Sequence, residues 1–264
     1  MKPLAVDLFC GLGGWTEGLL AEGYDVIGFD IEQHVYGEHR YPAQLVIQDV
    51  LTLHGSQFKD AALIVASPPC QFFSYCAMPW SRAKALAEAV RADPARLEKE
   101  LALFNACFRI QREACEAAKR HIPLVVENVR GAEPWVGRAR WNSGSMYLWG
   151  DVPALMPNYR HVKVSSFRFD GKGSFQTASV RRTDPGNGAR FTSRDCGVEP
   201  RWFNDGPRGP GSMASMSSKS PARKFASAMI AKIPLPLSRH IARVFLPRER
   251  DRSNAPILSE LVEG

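Results

Sequence analysis

None of the six cysteines, at positions 10, 70, 76, 107, 115 and 196, forms a CxxC pair, and no Cys/His cluster has zinc spacing. The usual structural zinc sites and the redox dithiol are thereby excluded, and no bound metal is expected. In a chain of 264 residues these thiols do not suggest a disulfide framework, so they are read as reduced. Cys107 and Cys115 fall inside an apparent helix, where a small buried hydrophobe is the expected role. Long apolar runs are also missing. None approaches the roughly 20 residues of a spanning helix, and no basic stretch followed by an apolar one opens the chain. A cytoplasmic protein without membrane contact is expected. There is no internal repeat, and acidic charge is scarce in one region. From Asn158 to Arg250, 18 Lys and Arg face 6 Asp and Glu, whereas the rest of the chain holds 16 against 21. Such segregation points to a polyanion, because each phosphate neutralised releases counterions. A solvated basic face is the plain alternative.

With 45% apolar and 23% charged residues, the chain can bury one large domain, or one domain with a small appendage. Leu4 to Phe9 reads as a buried strand, Gly14 to Glu22 as a helix and Tyr24 to Phe29 as a second strand, which makes a βαβ opening. Leu45 to Ile47, Ala62 to Ala66 and Leu124 to Val126 read as further strands, with a long helix over Ala95 to Arg120 and a strand-like Met146 to Trp149. Helices return at Ala222 to Ala231 and at Pro234 to Val244, the latter with proline at its first position. Strands separated by helices imply an α/β fold with a doubly wound, mainly parallel sheet.

Two groups of residues carry chemistry. Gly11, Gly13 and Gly14 fall between the first strand and the first helix, where a ligand can approach the backbone and the helix N-terminus faces an anion. Position 16 is threonine, so the third glycine of a dinucleotide fingerprint is lacking. Asp30, ending the second strand, is placed for ribose hydroxyls, Ile31 for one face of a purine, and Asp49 for an exocyclic amine. The set suits a nucleoside bearing an amino-acid carboxylate, namely S-adenosylmethionine. A tight turn with no ligand is the structural alternative for the glycines, and packing the alternative for Cys10.

The second group is Ser67-Pro68-Pro69-Cys70-Gln71-Phe72-Phe73-Ser74, a thiol on a proline-stiffened turn after an apolar strand, together with Glu127 at the end of another. In a parallel sheet these strand ends meet at one crevice. A thiolate adding to C6 of a pyrimidine places electron density on C5, and a carboxylic acid at N3 stabilises the adduct. That role requires Glu127 to have a raised pKa. Otherwise it is an ordinary strand-end acid.

Together, Asp7-Leu8-Phe9-Cys10-Gly11 with Gly13-Gly14 and Gly18-Leu19, Pro69-Cys70-Gln71 with Phe73-Ser74, and Glu127-Asn128-Val129 resemble the motifs of the C5-cytosine DNA methyltransferases. The resemblance implies a Rossmann-like, S-adenosylmethionine-dependent methyltransferase fold, base flipping and double-stranded DNA as partner. It implies Cys70 as nucleophile and Glu127 as the N3 contact. It further implies Asp7, Phe9, Gly11, Gly13, Gly14, Asp30, Ile31, Asp49, Val50, Pro69 and Leu103 as cofactor contacts, with Gln71, Ser74 and Asn128 toward the substrate. The family's Gln-x-Arg-x-Arg string is absent, and Arg138 or Arg140 is the candidate replacement, with Arg140 the expected catalytic residue. Ile230-Ala231-Lys232-Ile233-Pro234 is similar to the last motif, with Ile230-Ala231 in place of its Gly-Asn.

The expected organisation is a catalytic and cofactor domain over 1–155, a small basic recognition segment over 156–221, helices over 222–247 that return to the catalytic domain, and a polar tail over 248–264. Arg181, Arg182, Arg190, Arg194 and Arg201 would serve phosphates or guanine edges. The insert between Ser74 and Leu101, with Trp80, Arg82 and Lys84, is expected to close over an extruded base. A monomer of phage or mobile-element type is expected, with restriction-modification as its setting. The rivals are the same chemistry on RNA, a weakened DNA-binding relative, and a nicotinamide-dependent dehydrogenase that leaves Pro-Cys-Gln unexplained.

Overall fold

The computed structural model describes residues 2–74, 80–157, 224–225, 228–229 and 231–247, apart from the side chains of residues 80 and 82. The proposed recognition arginines, Cys76, Cys196 and the C-terminal tail lie outside the described residues.

The apolar runs do form strands: β1 Leu4–Leu8, β2 Asp25–Asp30, β3 Gln44–Ile47, β4 Ala61–Ala66, β5 Leu124–Asn128, β6 Trp141–Ser143 and β7 Met146–Gly150. They make one sheet in the order β3-β2-β1-β4-β5-β7-β6. The first five run parallel, and β7 is antiparallel to both β5 and β6. The chain therefore winds outward from β1 in one direction and resumes at β4 in the other, which creates a switch point between those strands. The β6–β7 hairpin was not expected, because β6 is three residues long and carries little apolar pattern.

Side chains alternate across the sheet as period two requires. Val6, Leu8, Ile64, Ala66, Leu124 and Val126 face a core with Phe58, Phe104, Ile110 and Trp149. Ala5, Leu63, Val65 and Val125 face the other, with Trp15, Leu19, Tyr24, Leu237 and Ile241. The helices are α1 Gly14–Ala21, α2 Trp80–Arg91, α3 Pro94–Ala118, α4 Glu133–Val136 and α5 Leu235–Phe245. Asp93 caps α3 by accepting from the amides of Ala95 and Arg96, each at 3.1 Å, and Pro94 starts the helix without wasting a donor. In α5, Pro234 is the N-cap and Pro236 lies in the first turn, one step along from the expected arrangement.

Helices α1 and α5 touch backbone to backbone. A β-carbon at Gly14 would collide with the Ile233 amide, and one at Gly18 with Ser238 and the Arg239 amide. Two of the glycines in the first motif thus serve helix packing. Glu22, at the C-cap of α1, reinforces the contact by accepting from Arg239 Nε at 2.6 Å and Arg243 Nε at 2.8 Å.

Candidate active site

The carboxyl ends of β1, β2, β4 and β5 form one edge around the switch point, and the motif residues gather there. At the end of β1, Phe9 takes φ 57°, a left-handed conformation costly for a bulky residue and characteristic of functional turns. Gly11 (φ 50°) and Gly13 (φ 78°) continue the turn, which Gly13 closes by donating to the Cys10 carbonyl at 2.7 Å. A β-carbon at Gly13 would meet Pro42 Cδ at 2.5 Å, whereas one at Gly11 would meet nothing within 4 Å. Open space therefore lies in front of Gly11 alone. Gly13, the N-cap residue of α1, has no side chain to cap it, which leaves the first-turn amides facing the same edge.

Asp30 accepts the Gly11 amide at 2.9 Å through Oδ2 and the Glu32 amide at 3.3 Å through Oδ1. Burial raises its pKa, but His34 and those two amides outweigh it and hold the carboxyl below its ordinary value. Ile31 next to it is 70% exposed, an apolar surface suited to a purine face. Asp49 accepts the Leu51 amide at 2.9 Å, and so caps a short 3-10 turn with one oxygen. Val50 is buried in the core beneath, Leu103 is half-buried on α3, and Pro69 is exposed.

Asp7 lies under this cradle, buried, with Oδ2 accepting from Thr16 at 2.6 Å and Oδ1 without a partner among the described residues. Tyr41 joins Thr16 at 2.7 Å, in space that only the glycine at 28 leaves open. Burial pushes Asp7 up to about 8. The thiol of Cys10 is buried and raised as well, by desolvation, which agrees with packing.

The Pro68-Pro69-Cys70 turn follows β4 directly. Cys70, half-buried, has its carbonyl fixed by the Phe73 amide at 3.0 Å and by the Ser74 hydroxyl at 2.8 Å, while Gln71 is exposed. Asn128 donates to the Pro68 carbonyl at 2.9 Å and accepts the Val129 amide at 2.9 Å. The nitrogen of this buried amide thus ties the end of β5 to the cysteine turn, while its oxygen is held by the backbone of the following residue. Ala66 pairs with Val126, so Ser67 and Glu127 are neighbours on adjacent strands. Glu127 is buried, and desolvation lifts its pKa from 4.5 to about 8, against a hydrogen bond from Ser67 that lowers it. A carboxyl in this setting keeps its proton at neutral pH.

Sequence reasoning missed several supporting groups. Trp15 Nε1 donates to Ser67 Oγ at 3.0 Å, leaving the Ser67 proton for Glu127. Phe72, beside Cys70, meets Trp135 of α4 at 5.2 Å, and Arg91 at the end of α2 lies 5.1 Å over that ring. The apolar character of Phe72 and Trp135 was visible, but not their pairing. Arg138 and Arg140 are both exposed ahead of β6. Arg140 follows two strands from Glu127, since Glu127 pairs with Leu148 and Leu148 with Trp141. Strand spacing puts its backbone about 10 Å from that of Glu127.

The topology defines a Rossmann-like, doubly wound fold with its crevice at the switch point. Residues 4–84 match the family described as C-5 cytosine-specific DNA methylase. The matched stretch holds the glycine turn and Cys70 but not Glu127. Similar solved structures include a protein described as a DNA modification methyltransferase encoded within an E. coli prophage, 24% identical over 50% of this chain and 33% of its own, TM-score 0.32. S. pombe Dnmt2 methyltransferase is 17% identical over 52% of this chain and 37% of its own, TM-score 0.33. The Entamoeba histolytica methyltransferase EhMeth is 16% identical over 52% and 41%, TM-score 0.35. This chain spans well under two thirds of each of these proteins. No curated protein matches it. Among the described residues no helix is long and apolar enough to cross a membrane, and no group of His, Cys, Asp or Glu is arranged to hold a metal ion.

Proposed function

We propose that the protein methylates C5 of cytosine in DNA, using S-adenosylmethionine and a transient bond from Cys70 to the base. The observation that carries this is the meeting of the Cys70 turn with a buried, neutral Glu127 at adjacent ends of β4 and β5, joined by Asn128 and Ser67. The open space before Gly11, the uncapped start of α1, Asp30 and exposed Ile31 fit the cofactor's carboxylate, ribose and purine. When bound, the cofactor supplies an electrophilic methyl group.

Cys70 as thiolate adds to C6 of an extruded cytosine, and the ring electrons move toward C5 and N3. Glu127 donates a hydrogen bond or proton to N3, which stabilises the adduct without placing two negative charges in a buried site. After C5 is substituted, its proton leaves and the C6–S bond breaks, which restores the ring and the thiolate. Asn128 and Ser74 hold the turn that aims the sulfur. The basic charge between Asn158 and Arg250 supports a nucleic-acid substrate.

The test is methyl incorporation into duplex DNA, with tRNA in a parallel arm, and covalent trapping on 5-fluorocytosine DNA. Wild type should label DNA and be trapped, and Cys70→Ser should do neither. A fully active serine variant would exclude the covalent mechanism, and labelling of tRNA alone would move the substrate to RNA.

A further inference from the structure

Asp30 is not a solitary acid at the end of β2. His34 brings Nε2 to 3.7 Å from Asp30 Oδ1 and Nδ1 to 3.7 Å from Glu32 Oε1. Its loop is built around a small bridge: Tyr36 and His39 exchange backbone hydrogen bonds at 3.0 Å in both directions, with Gly37 at φ 60° between them. The Tyr36 ring stacks on His34 at 6.3 Å. Phe225, from the far end of the chain, then packs against Tyr36 at 5.4 Å and His39 at 5.0 Å. An imidazole anchored by these rings restricts the rotamers open to the carboxylate that braces Gly11.

We propose that His34 is the positioning residue for Asp30: by pairing with Oδ1 it holds the carboxylate where it both braces the glycine turn and meets the ribose of a bound nucleoside, most firmly when the imidazole is protonated. This rests on the reading of the cradle as an S-adenosylmethionine site. The groups facing His34 are Asp30 and Glu32, which favour its charged form, Lys224 and partial burial, which oppose it, and the ring of Tyr36 behind. The pairing with Asp30 prevails, so the imidazole titrates above its usual 6.5. Covering Asp30 with a nucleoside removes water from the ion pair and strengthens it. Binding therefore draws a proton onto His34, and affinity weakens as pH rises through the imidazole pKa.

The experiment is calorimetric titration of the full chain with S-adenosylhomocysteine between about pH 6 and about pH 9, in buffers of differing ionisation enthalpy, bracketing the histidine range. Wild type should bind more weakly toward alkaline pH and take up protons on binding. His34→Gln should lose that dependence and bind about fivefold more weakly at the acid end, the size of one ordinary hydrogen bond. Proton NMR of the wild-type His34 ring gives a reading that needs no variant: its pKa should rise when S-adenosylhomocysteine is added. An unmoved imidazole pKa, or a His34→Gln protein with the wild-type pH dependence, overturns the proposal. A wild type that binds nothing at any pH sinks the cofactor reading itself, and this inference with it.

Discussion

Ser67 donates a hydrogen bond to Glu127 across the β4–β5 pair while accepting the indole N–H of Trp15 at 3.0 Å, so the acid is linked to the first turn of α1. The hydrogen bond favours the carboxylate, whereas burial favours the neutral acid, and burial wins. The balance sets where on the pH scale the site operates.

Glu127 titrates near 8 folded and near 4.5 when exposed, so between those values the unfolded chain releases a proton that the native protein keeps. Its contribution to stability is therefore largest below about 4.5, declines as pH rises toward 8 and is constant above. Glu127→Gln should flatten that decline in urea titrations run across the window. The rate of methyl transfer should fall above about 8 as the acid ionises. Ser67→Ala removes the group that favours ionisation, and so should move this alkaline limb upward; a limb that moves down would contradict the assignment.

Asn128 is the tether between acid strand and nucleophile turn. Asn128→Leu keeps the branched shape but frees the Pro68 carbonyl, and should cost about 1–3 kcal/mol of stability as a buried acceptor goes unpaired. Single-turnover methylation should slow by about tenfold to a hundredfold, because the sulfur is no longer held in line. Affinity for S-adenosylhomocysteine should stay near wild type, since the hydrogen bonds of Asn128 go to Pro68 and Val129 and not to the glycine turn. A loss of cofactor binding equal to the loss of rate would show that the amide supports the whole fold.

Gly18 lies against Ser238 and Arg239 with no room for a side chain. Gly18→Leu should force α1 and α5 apart and cost about 1–3 kcal/mol or more, as overpacking does. Guanidinium denaturation with intrinsic tryptophan fluorescence measures it. A variant as stable as wild type would mean that this helix pair is not a close backbone contact in solution.

The βαβ opening, the parallel strands and the long α3 helix were legible because each rests on apolar periodicity within a few residues. The cysteine turn, the strand-end Glu127 and the glycine turn were legible for a similar reason, since each is a short string with local chemistry. The hairpin strand β6 was not, since it is held by pairing to β7 and carries almost no pattern of its own.

Local sequence could name Glu127 but not its proton, because that depends on how completely the surrounding strands exclude water. Nor could it divide the glycines. Gly11 faces open space while Gly14 and Gly18 receive a helix from the other end of the chain, and nothing near them in sequence records that neighbour. The pairing of His34 with Asp30, and of Asn128 with Pro68, likewise arises only once β2 and β5 are set in the sheet. Short-range pattern specifies which elements form and which groups are chemically competent. Their protonation, orientation and partners follow from desolvation and contacts between segments far apart in the chain.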